Sequence, residues 1–190
     1  MKNDKLLIKK ILAGNNRAFQ SLIEEYQRLV SHIVFKMINK EEDKEDICQD
    51  VFIKVYQNLS MFMFESKLST WIGRIAYNTC INHLAKKKAP LFNDLSPEGI
   101  SLDSFSDNNI TPEKFTEDRD ISSHLQTEIS NMPAKFRTLL TLYHLDEMSY
   151  NEIGEIMGLP EGTVKSYLFR ARKLLKERLM SKYKQEELWH

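Results

Sequence analysis

The chain has 190 residues, of which 42% are hydrophobic, and its 27 basic side chains equal its 27 acidic ones in number. This length allows one large domain or two small ones with real cores. No apolar run reaches the roughly 18 residues that a transmembrane helix needs, and the N-terminus lacks the apolar core and cleavage site of a signal peptide, so we expect a cytoplasmic protein.

The balanced net charge hides an uneven distribution along the chain. Residues 1–88 carry 15 basic and 10 acidic side chains, residues 89–120 carry 2 and 8, and residues 121–190 carry 10 and 9. Within the last region, residues 163–184 hold eight Lys or Arg and a single Glu. Two basic regions separated by an acidic one indicate a protein that contacts nucleic acid at two places.

The first region is expected to be helical throughout. Apolar residues at helical spacing predict four helices, over residues 4–13, 17–38, 44–59 and about 70–88. Gly14 and Asn15 are expected to end the first of them. One apolar row recurs every four positions in the third helix and is expected to be buried: Ile47, Val51, Val55 and Leu59.

The helix near residues 70–88 is apolar nearly all round, apart from a polar stripe formed by Arg74, Asn78 and Asn82. Such a helix lies within a bundle and exposes one narrow face. Planar amide and guanidinium groups suit base edges or bases taken out of the duplex, and the lysines at 86–88 suit phosphates. A buried polar network is the alternative explanation of the stripe.

Residues 89–120 predict a flexible, acidic linker. They hold three of the five prolines, are rich in Ser, Asn and Asp, and show no sustained periodicity. Because so long a structureless span is unusual inside one compact domain, the sequence indicates two domains, over residues 1–88 and 121–190.

The C-terminal domain is expected to contain a helix-turn-helix. Helices are predicted near residues 121–131, 134–145, 149–157 and 161–183. Ser149 and Glu152 have capping-box spacing at the start of the third of these helices, and Gly158 ends it. Two short helices joined by a tight turn that contains Gly form a motif whose second helix can enter the DNA major groove.

The last helix separates an apolar face from a basic one. The side expected to face the core carries Val164, Leu168, Ala171, Leu175 and Leu179. The opposite face carries Ser166, Phe169, Arg170, Lys173 and Lys176, with Lys165 and Arg172 along its margin. A solvated surface explains the charges but not the aromatic ring of Phe169. In the major groove, the methyl group of a thymine would give Phe169 an apolar partner, and Arg170 would reach a guanine edge or a phosphate. Packing of Phe169 against a neighbouring helix is the alternative.

Four segments follow one another in a characteristic order. They are GNNRAFQSLIEEY, DKEDICQDVFIKVYQNL, SKLSTWIGRIAYNTCINHL and MPAKFRTLLTLYHLDEMSYNEIGEIMGLPEGTVKSYLFRARKLLKERL. In this order they resemble the sigma-70 superfamily of RNA polymerase sigma factors, specifically its extracytoplasmic-function (ECF) group. The resemblance covers nearly the whole chain. It implies an all-α fold of two small helical domains joined by a flexible acidic linker, the second domain carrying the helix-turn-helix.

The resemblance also implies which residues act. The helix that docks on the polymerase clamp offers Asp46, Gln49, Asp50, Ile53 and Lys54. The segment that melts the minus-ten box offers Phe62, Met63, Ser66, Lys67, Arg74, Asn78, Asn82 and Lys86, with Asn78 as the leading candidate to hold an extruded base. The helix that recognises the minus-thirty-five box offers Thr163, Lys165, Ser166, Phe169, Arg170, Arg172 and Lys173.

The implied partners are macromolecules. They are core RNA polymerase, through its clamp and flap regions, promoter DNA in duplex and melted form, and an anti-sigma factor, which in this family is often membrane-anchored. No cofactor, metal ion or small-molecule substrate is implied.

Three positions depart from the common pattern of the family. Phe64 stands where Gly is frequent, so the family pattern does not predict the shape of the melting loop. Gly154 replaces the usual Ala and is expected to loosen its helix slightly. Tyr167 stands where Arg is frequent, so that one phosphate contact is expected to be absent.

Two other classes of protein share some of these sequence features. A conventional helix-turn-helix regulator with an N-terminal sensor or dimerisation domain is the main alternative, but the docking helix and the polar stripe argue against it. An enzyme finds little support, because the five histidines are scattered and the sequence has no HExxH, Walker or GxGxxG motif. Cys48 and Cys80 form no CxxC pair, so neither a disulfide framework nor a zinc site is expected.

Overall fold

A computed structural model of the chain describes residues 2–88 and 121–182, and within these ranges it contains helices and turns but no strand. The described helices are α1 (Lys2–Leu12), α2 (Asn16–Met37), α3 (Glu41–Asn58), α4 (Leu68–Lys88), α5 (Ile121–Ser130), α6 (Ala134–His144), α7 (Tyr150–Met157) and α8 (Glu161–Lys182). The predicted all-α fold is thereby confirmed for this part of the chain. The predicted linker over residues 89–120 lies outside the described residues.

Helix boundaries follow from local chemistry. Gly14 adopts a left-handed φ of 85° after α1, and the Asn15 side chain accepts a hydrogen bond from the Ala18 amide at 3.1 Å to cap α2. Helix α3 begins at Glu41, three residues earlier than predicted. The reason is that Glu41, Glu42 and Asp43 form an acidic first turn, where the helix dipole favours negative charge.

Helices α1 to α4 enclose an apolar core. The predicted row Ile47, Val51, Val55 and Leu59 is buried, which confirms the expectation for α3. Helix α2 packs against both α3 and α4. Burial of each large aliphatic side chain contributes about 1.5–3 kcal/mol of transfer free energy to folding.

Helices α5 to α8 contain the predicted helix-turn-helix. The Ser149 hydroxyl and the Glu152 carboxylate form the complete capping box at the start of α7, and Gly158 ends that helix with a left-handed φ of 67°. Three members of the predicted core face of α8 are fully buried: Val164, Leu168 and Ala171. Leu175 and Leu179, farther along, are only half-buried.

The expectation that Gly154 loosens its helix stays a prediction, but the structure adds that the turn after α7 passes close to this residue. A Cβ added to Gly154 would lie 2.6 Å from the Leu159 carbonyl oxygen, well inside van der Waals contact. The Leu159 amide donates to the Gly154 carbonyl at 2.9 Å. Because this turn returns directly over residue 154, the Cβ of an alanine would press on the Leu159 carbonyl, and glycine permits the close approach.

The two groups of helices share one continuous apolar core. Helix α2 packs against α6 and helix α4 packs against α7, and these contacts are called the inter-half interface below. The helices approach so closely that a Cβ on Gly73 of α4 would lie 2.8 Å from the Ile156 Cδ1 of α7. The sequence predicted two domains but gave no indication that they would pack on each other.

A buried arginine joins the two halves at α2 and α6. Arg137 is 7% exposed, and its guanidinium donates to the Lys36 carbonyl at 2.9 Å, the Asn39 Oδ1 at 3.0 Å and the Ser130 carbonyl at 2.6 Å. The first two acceptors belong to the N-terminal half and the third to the C-terminal half. Burial lowers the pKa of the Arg137 guanidinium, as expected for a desolvated cation.

A histidine–carboxylate contact and an ion pair add to the inter-half interface. The His32 Nδ1 lies 2.9 Å from the Asp146 Oδ1, and the Lys67 Nζ lies 2.7 Å from the Glu152 Oε1. Lys67 is one of the residues expected to contact melted DNA. In this closed arrangement its ammonium is therefore paired with the first turn of α7.

The described residues provide no helix long and apolar enough to cross a membrane. Across residues 2–88 and 121–182, no group of three or more His, Cys, Asp or Glu side chains is arranged to hold a metal ion. Cys48 and Cys80 are free thiols. Burial raises the pKa of Cys80 to about 12 and also raises that of Cys48, so both thiols stay protonated and unreactive at neutral pH.

Candidate nucleic-acid and protein interfaces

The polar stripe of α4 lines an open pocket. Arg74, Asn78 and Asn82 are all exposed, so a buried polar network does not explain the stripe. They share a cavity of about 470 Å³, called the stripe pocket below, with Lys54, Asn58, Met61, Trp71, Ile75 and Thr79. This lining combines amide groups, two cations and apolar surface, which is the chemistry that holds a base by its edge and its ring face.

Lys54 contributes to the stripe pocket and not only to the docking helix. Its Nζ donates to the Thr79 Oγ1 at 3.2 Å, and the Thr79 hydroxyl donates in turn to the Ile75 carbonyl at 2.8 Å. The Asn58 Nδ2 donates to the Lys54 backbone carbonyl at 2.8 Å, which fixes the orientation of a further amide that lines the pocket. Lys54 was expected among the polymerase-docking residues, and its Nζ also lies 3.9 Å from the Oδ2 of Asp50, another of them, so its ammonium lies between the docking helix and the stripe pocket.

The loop before α4 presents methionines to solvent. Phe62 is buried, with its ring centroid 4.8 Å from that of Phe64 and 5.2 Å from that of Trp71. Phe62 was expected to contact DNA; in this arrangement its ring is held in the cluster and supports the loop from inside. Met61 and Met63 are 69% and 77% exposed and form the apolar tip. Met61 was missed because the sequence does not show which loop residues turn outward.

Phe64 adopts a backbone conformation that glycine would favour. Its φ is 59°, in the left-handed region, which costs a non-glycine residue about 1–2 kcal/mol. Contact with Phe62 and a cation–π contact from the Lys5 Nζ at 5.2 Å offset this strain. The unusual residue therefore keeps the turn that a glycine would make and adds a ring to it.

The remaining minus-ten candidates lie at the edges of this surface. Ser66 is half-buried and its hydroxyl donates to the Lys67 carbonyl at 3.4 Å. Lys67 and Lys86 are exposed.

A second concave surface, the α2–α3 groove, is mainly apolar. Its volume is about 670 Å³, and its lining includes Phe19, Ile23, Phe52, Ile53 and Tyr56. Ile53 and Tyr56 are 53% and 48% exposed, and Tyr56 meets Phe19 edge to face with centroids 4.9 Å apart.

Polar docking candidates border the α2–α3 groove. Asp46, Gln49 and Asp50 are exposed along α3, and Gln49 also lines the groove. An apolar floor with a polar, acidic rim is typical of a protein interface. Phe19 and Tyr56 were missed as candidates, although large apolar residues on a half-exposed helix face were the available signal.

The exposed face of α8 matches the predicted recognition surface. Phe169 is 69% exposed, so packing against a neighbouring helix does not account for it. The polar candidates on this face are also exposed: Lys165, Ser166, Arg170, Arg172 and Lys173. Thr163 is half-buried, and its carbonyl accepts a hydrogen bond from the Ser166 hydroxyl at 2.9 Å.

Tyr167 holds cations on one margin of this face. The Lys135 Nζ of α6 lies 4.0 Å from the centre of the Tyr167 ring, and the Arg170 guanidinium carbon lies 5.9 Å from it. The sequence suggested that tyrosine at this position removes a phosphate contact. In the structure its ring brings a lysine from another helix to the same margin.

Comparisons with known proteins match both halves of the chain. Residues 22–89 match the family model for sigma-70 region 2, and residues 124–175 match that for sigma-70 region 4. The chain is 34% identical over 176 residues to the ECF RNA polymerase sigma factor SigW of Bacillus subtilis, covering 90% of this chain and 94% of that protein. It is 33% identical over 178 residues to the ECF RNA polymerase sigma-E factor of Escherichia coli, covering 90% and 92%.

Solved structures share the fold. The sigma factor RpoE of Bartonella quintana, in complex with the anti-sigma factor NepR, matches with a TM-score of 0.65 and 21% identity over 87% of this chain and 98% of that one. CnrH in complex with the cytosolic domain of CnrY matches with a TM-score of 0.65 and 18% identity over 95% and 99%.

Proposed function

The chain belongs to the extracytoplasmic-function group of sigma-70 RNA polymerase sigma factors, and we propose how it divides the work of a sigma factor among three surfaces. The α2–α3 groove docks on the clamp of core RNA polymerase. The stripe pocket captures an unpaired base of the minus-ten box, and α8 reads the minus-thirty-five box as duplex. Residues 1–88 and 121–190 are the two working domains, and residues 89–120 link them. Because its partners are polymerase and promoter DNA, we place its action in the cytoplasm.

The stripe pocket is the observation that carries this proposal. A conventional regulator that binds only duplex DNA needs no open pocket of about 470 Å³ lined by three amides and two cations. A protein that stabilises melted DNA needs one, because unpaired bases must be held by their edges and faces. Asn78 lies at the middle of the stripe and is the residue best suited to read the edge of such a base.

The proposal requires the inter-half interface to open. The names of the two promoter boxes place them roughly 25 base pairs apart, which is about 85 Å at ~3.4 Å per base pair. In the closed arrangement α7 packs directly on α4, and packed helices lie about 8–10 Å apart. The stripe pocket and α8 therefore reach both boxes only after the two halves separate.

The division of labour is tested with two substitutions in the sigma factor bound to core polymerase. Arg170→Ala should weaken closed-complex binding by about 1–3 kcal/mol if the guanidinium contacts a base with two hydrogen bonds. Asn78→Ala should leave closed-complex binding unchanged and impair opening. A template already mismatched at the minus-ten box should restore little to Asn78→Ala, because the captured base is still unrecognised. Asn131→Ala, outside all three surfaces, is the matched control.

Permanganate footprinting of unpaired thymines and duplex binding report the two steps separately. If Asn78→Ala opens the promoter as well as the parent protein, the stripe pocket does not capture a base. If Arg170→Ala leaves duplex binding untouched, α8 does not read the minus-thirty-five box through this residue.

We also propose control by an inhibitory protein of the anti-sigma class. The apolar side chains of the α2–α3 groove and the basic face of α8 are both exposed, so a free sigma factor offers its binding surfaces to polymerase and DNA. A partner that clamps both halves would cover them until a signal releases it, and in this family such partners are often membrane-anchored. Co-purification from uninduced cells should recover that partner, and recovery of only free protein or polymerase complex would contradict this part of the proposal.

A further inference from the structure

Two stacked tyrosines lie beside one margin of the recognition helix. The rings of Tyr143, in α6, and Tyr150, at the start of α7, are nearly parallel, with an interplanar angle of 11° and centroids 5.3 Å apart. Hydrogen bonds from the Tyr150 hydroxyl and from Arg172 lower the pKa of the Tyr143 hydroxyl, which links the pair to α8. Neither tyrosine was a candidate from the sequence.

Each ring of the stack holds one cation of α8. The Arg172 guanidinium carbon lies 5.0 Å from the centre of the Tyr143 ring, and the Lys165 Nζ lies 5.4 Å from that of the Tyr150 ring. The Lys165 Nζ is also paired with the Glu161 Oε1 at 2.7 Å, so Tyr150 shares its restraint with a carboxylate. The Arg172 Nε also donates to the His144 Nε2 at 3.4 Å. Burial and the nearby Arg172 charge lower the pKa of His144, so that the imidazole is neutral at pH 7 and its Nε2 accepts this bond.

The two cations are placed for a DNA backbone. Lys165 and Arg172 are seven residues apart, about two turns or ~10 Å along the helix, and so lie on the same side of α8. That side separates the buried face of Val164 and Leu168 from the exposed face of Phe169. A helix in the major groove has a phosphate strand along such a margin.

We propose that Tyr143 and Tyr150 are positioning residues for duplex DNA binding, because the stacked rings hold Arg172 and Lys165 in place for consecutive contacts with one phosphate strand. Long basic side chains lose rotamer freedom when they bind a phosphate, and a ring that already restrains them reduces this loss. The tyrosines act through the cations and need no contact with DNA themselves. This inference rests on the proposed reading of duplex DNA by α8.

The test is a double-mutant cycle on closed-complex binding. The sigma factor, bound to core polymerase, is titrated with a promoter fragment mapped by run-off transcription. Tyr143→Ala should weaken binding about 2- to 5-fold, the range of one exposed cation–π contact. In an Arg172→Ala background the same change should have almost no further effect, because the residue through which Tyr143 acts is gone. Tyr150→Ala and Lys165→Ala form a second cycle with the same sign and a smaller effect, because Glu161 also restrains the Lys165 ammonium.

Conservative variants separate positioning from simple packing. Tyr143→Phe keeps the ring and should bind within about 2-fold of the parent protein, whereas Tyr143→Leu keeps bulk without a ring and should weaken binding as alanine does. Additive effects of Tyr143→Ala and Arg172→Ala, or equal binding by the Leu and Phe variants, would overturn the inference. If Arg170→Ala also leaves duplex binding unchanged, the failure lies in the proposed role of α8. If Arg170→Ala weakens binding as expected, only the tyrosine inference fails.

Discussion

Arg137 is the residue whose replacement should most weaken the inter-half interface. Arg137→Met keeps the aliphatic volume but removes the three hydrogen bonds to the Lys36 and Ser130 carbonyls and the Asn39 Oδ1. Hydrogen bonds to a charged group contribute about 1.5–3 kcal/mol each, and the acceptors are left unsatisfied at a site where Arg137 is 7% exposed. Since the guanidinium no longer has to be desolvated, part of this loss is recovered. We expect the free energy of unfolding to fall by about 1–3 kcal/mol, the cost of leaving buried acceptors unsatisfied.

Urea unfolding of the full chain measures this loss, and small-angle X-ray scattering measures the separation of the halves. Arg137→Met should expand the protein in solution and, because polymerase and promoter binding need the open form, should also raise the apparent affinity for core polymerase. Arg170→Met replaces an exposed arginine and should change the unfolding free energy by no more than about 0.5 kcal/mol. Refutation would come from an Arg137→Met protein as stable and as compact as the Arg170→Met control.

Three further outcomes are expected. Gly154→Ala should lower the free energy of unfolding by about 1–3 kcal/mol, because the alanine Cβ would lie 2.6 Å from the Leu159 carbonyl oxygen. Helix propensity alone predicts a higher free energy of unfolding for alanine, and that result would contradict the close approach. Burial raises the pKa of Asp146 above its ordinary 3.8, despite the opposing contact with His32, so its stabilising contribution is greatest below pH 3.8 and falls as pH rises through the folded-state pKa. The unfolding free energy of the parent minus that of Asp146→Asn should therefore fall with rising pH, and a flat or rising difference would refute this. Asp50→Lys should weaken core polymerase binding in a titration without changing the unfolding free energy, and unchanged affinity would remove that carboxylate from the docking surface.

Local patterns in the sequence were sufficient to predict most of the helices. The row from Ile47 to Leu59, the Ser149–Glu152 capping box and the left-handed Gly158 each depend on residues a few positions apart, and each was confirmed. The exposure of Phe169 was also predictable, because helical spacing alone places it opposite Val164 and Leu168.

Features that depend on distant parts of the chain could not be predicted in this way. Phe62 is buried because Trp71 and Phe64 close around it, and Lys54 joins the stripe pocket because Thr79 of another helix binds its ammonium. Gly154 is needed because the turn after α7 returns over it. These outcomes are set by tertiary packing, which overrides propensity at single positions.

The inter-half interface is the largest feature that the sequence did not predict. Arg137 lies in a pattern that reads as an ordinary amphipathic helix, and its acceptors at Lys36 and Asn39 are about a hundred residues away. Two basic regions with an acidic segment between them predict two domains. The same charge pattern would result whether or not those domains pack together.

Run-off transcription with purified core polymerase tests the central claim most directly. The full chain is added to core polymerase on genomic templates, and the transcript start sites are mapped. We expect discrete starts that depend on the added chain and that share two upstream sequence elements, near minus ten and minus thirty-five. DNA binding by the chain alone, without any transcript that depends on core polymerase and the chain together, would contradict its action as a promoter-specificity subunit.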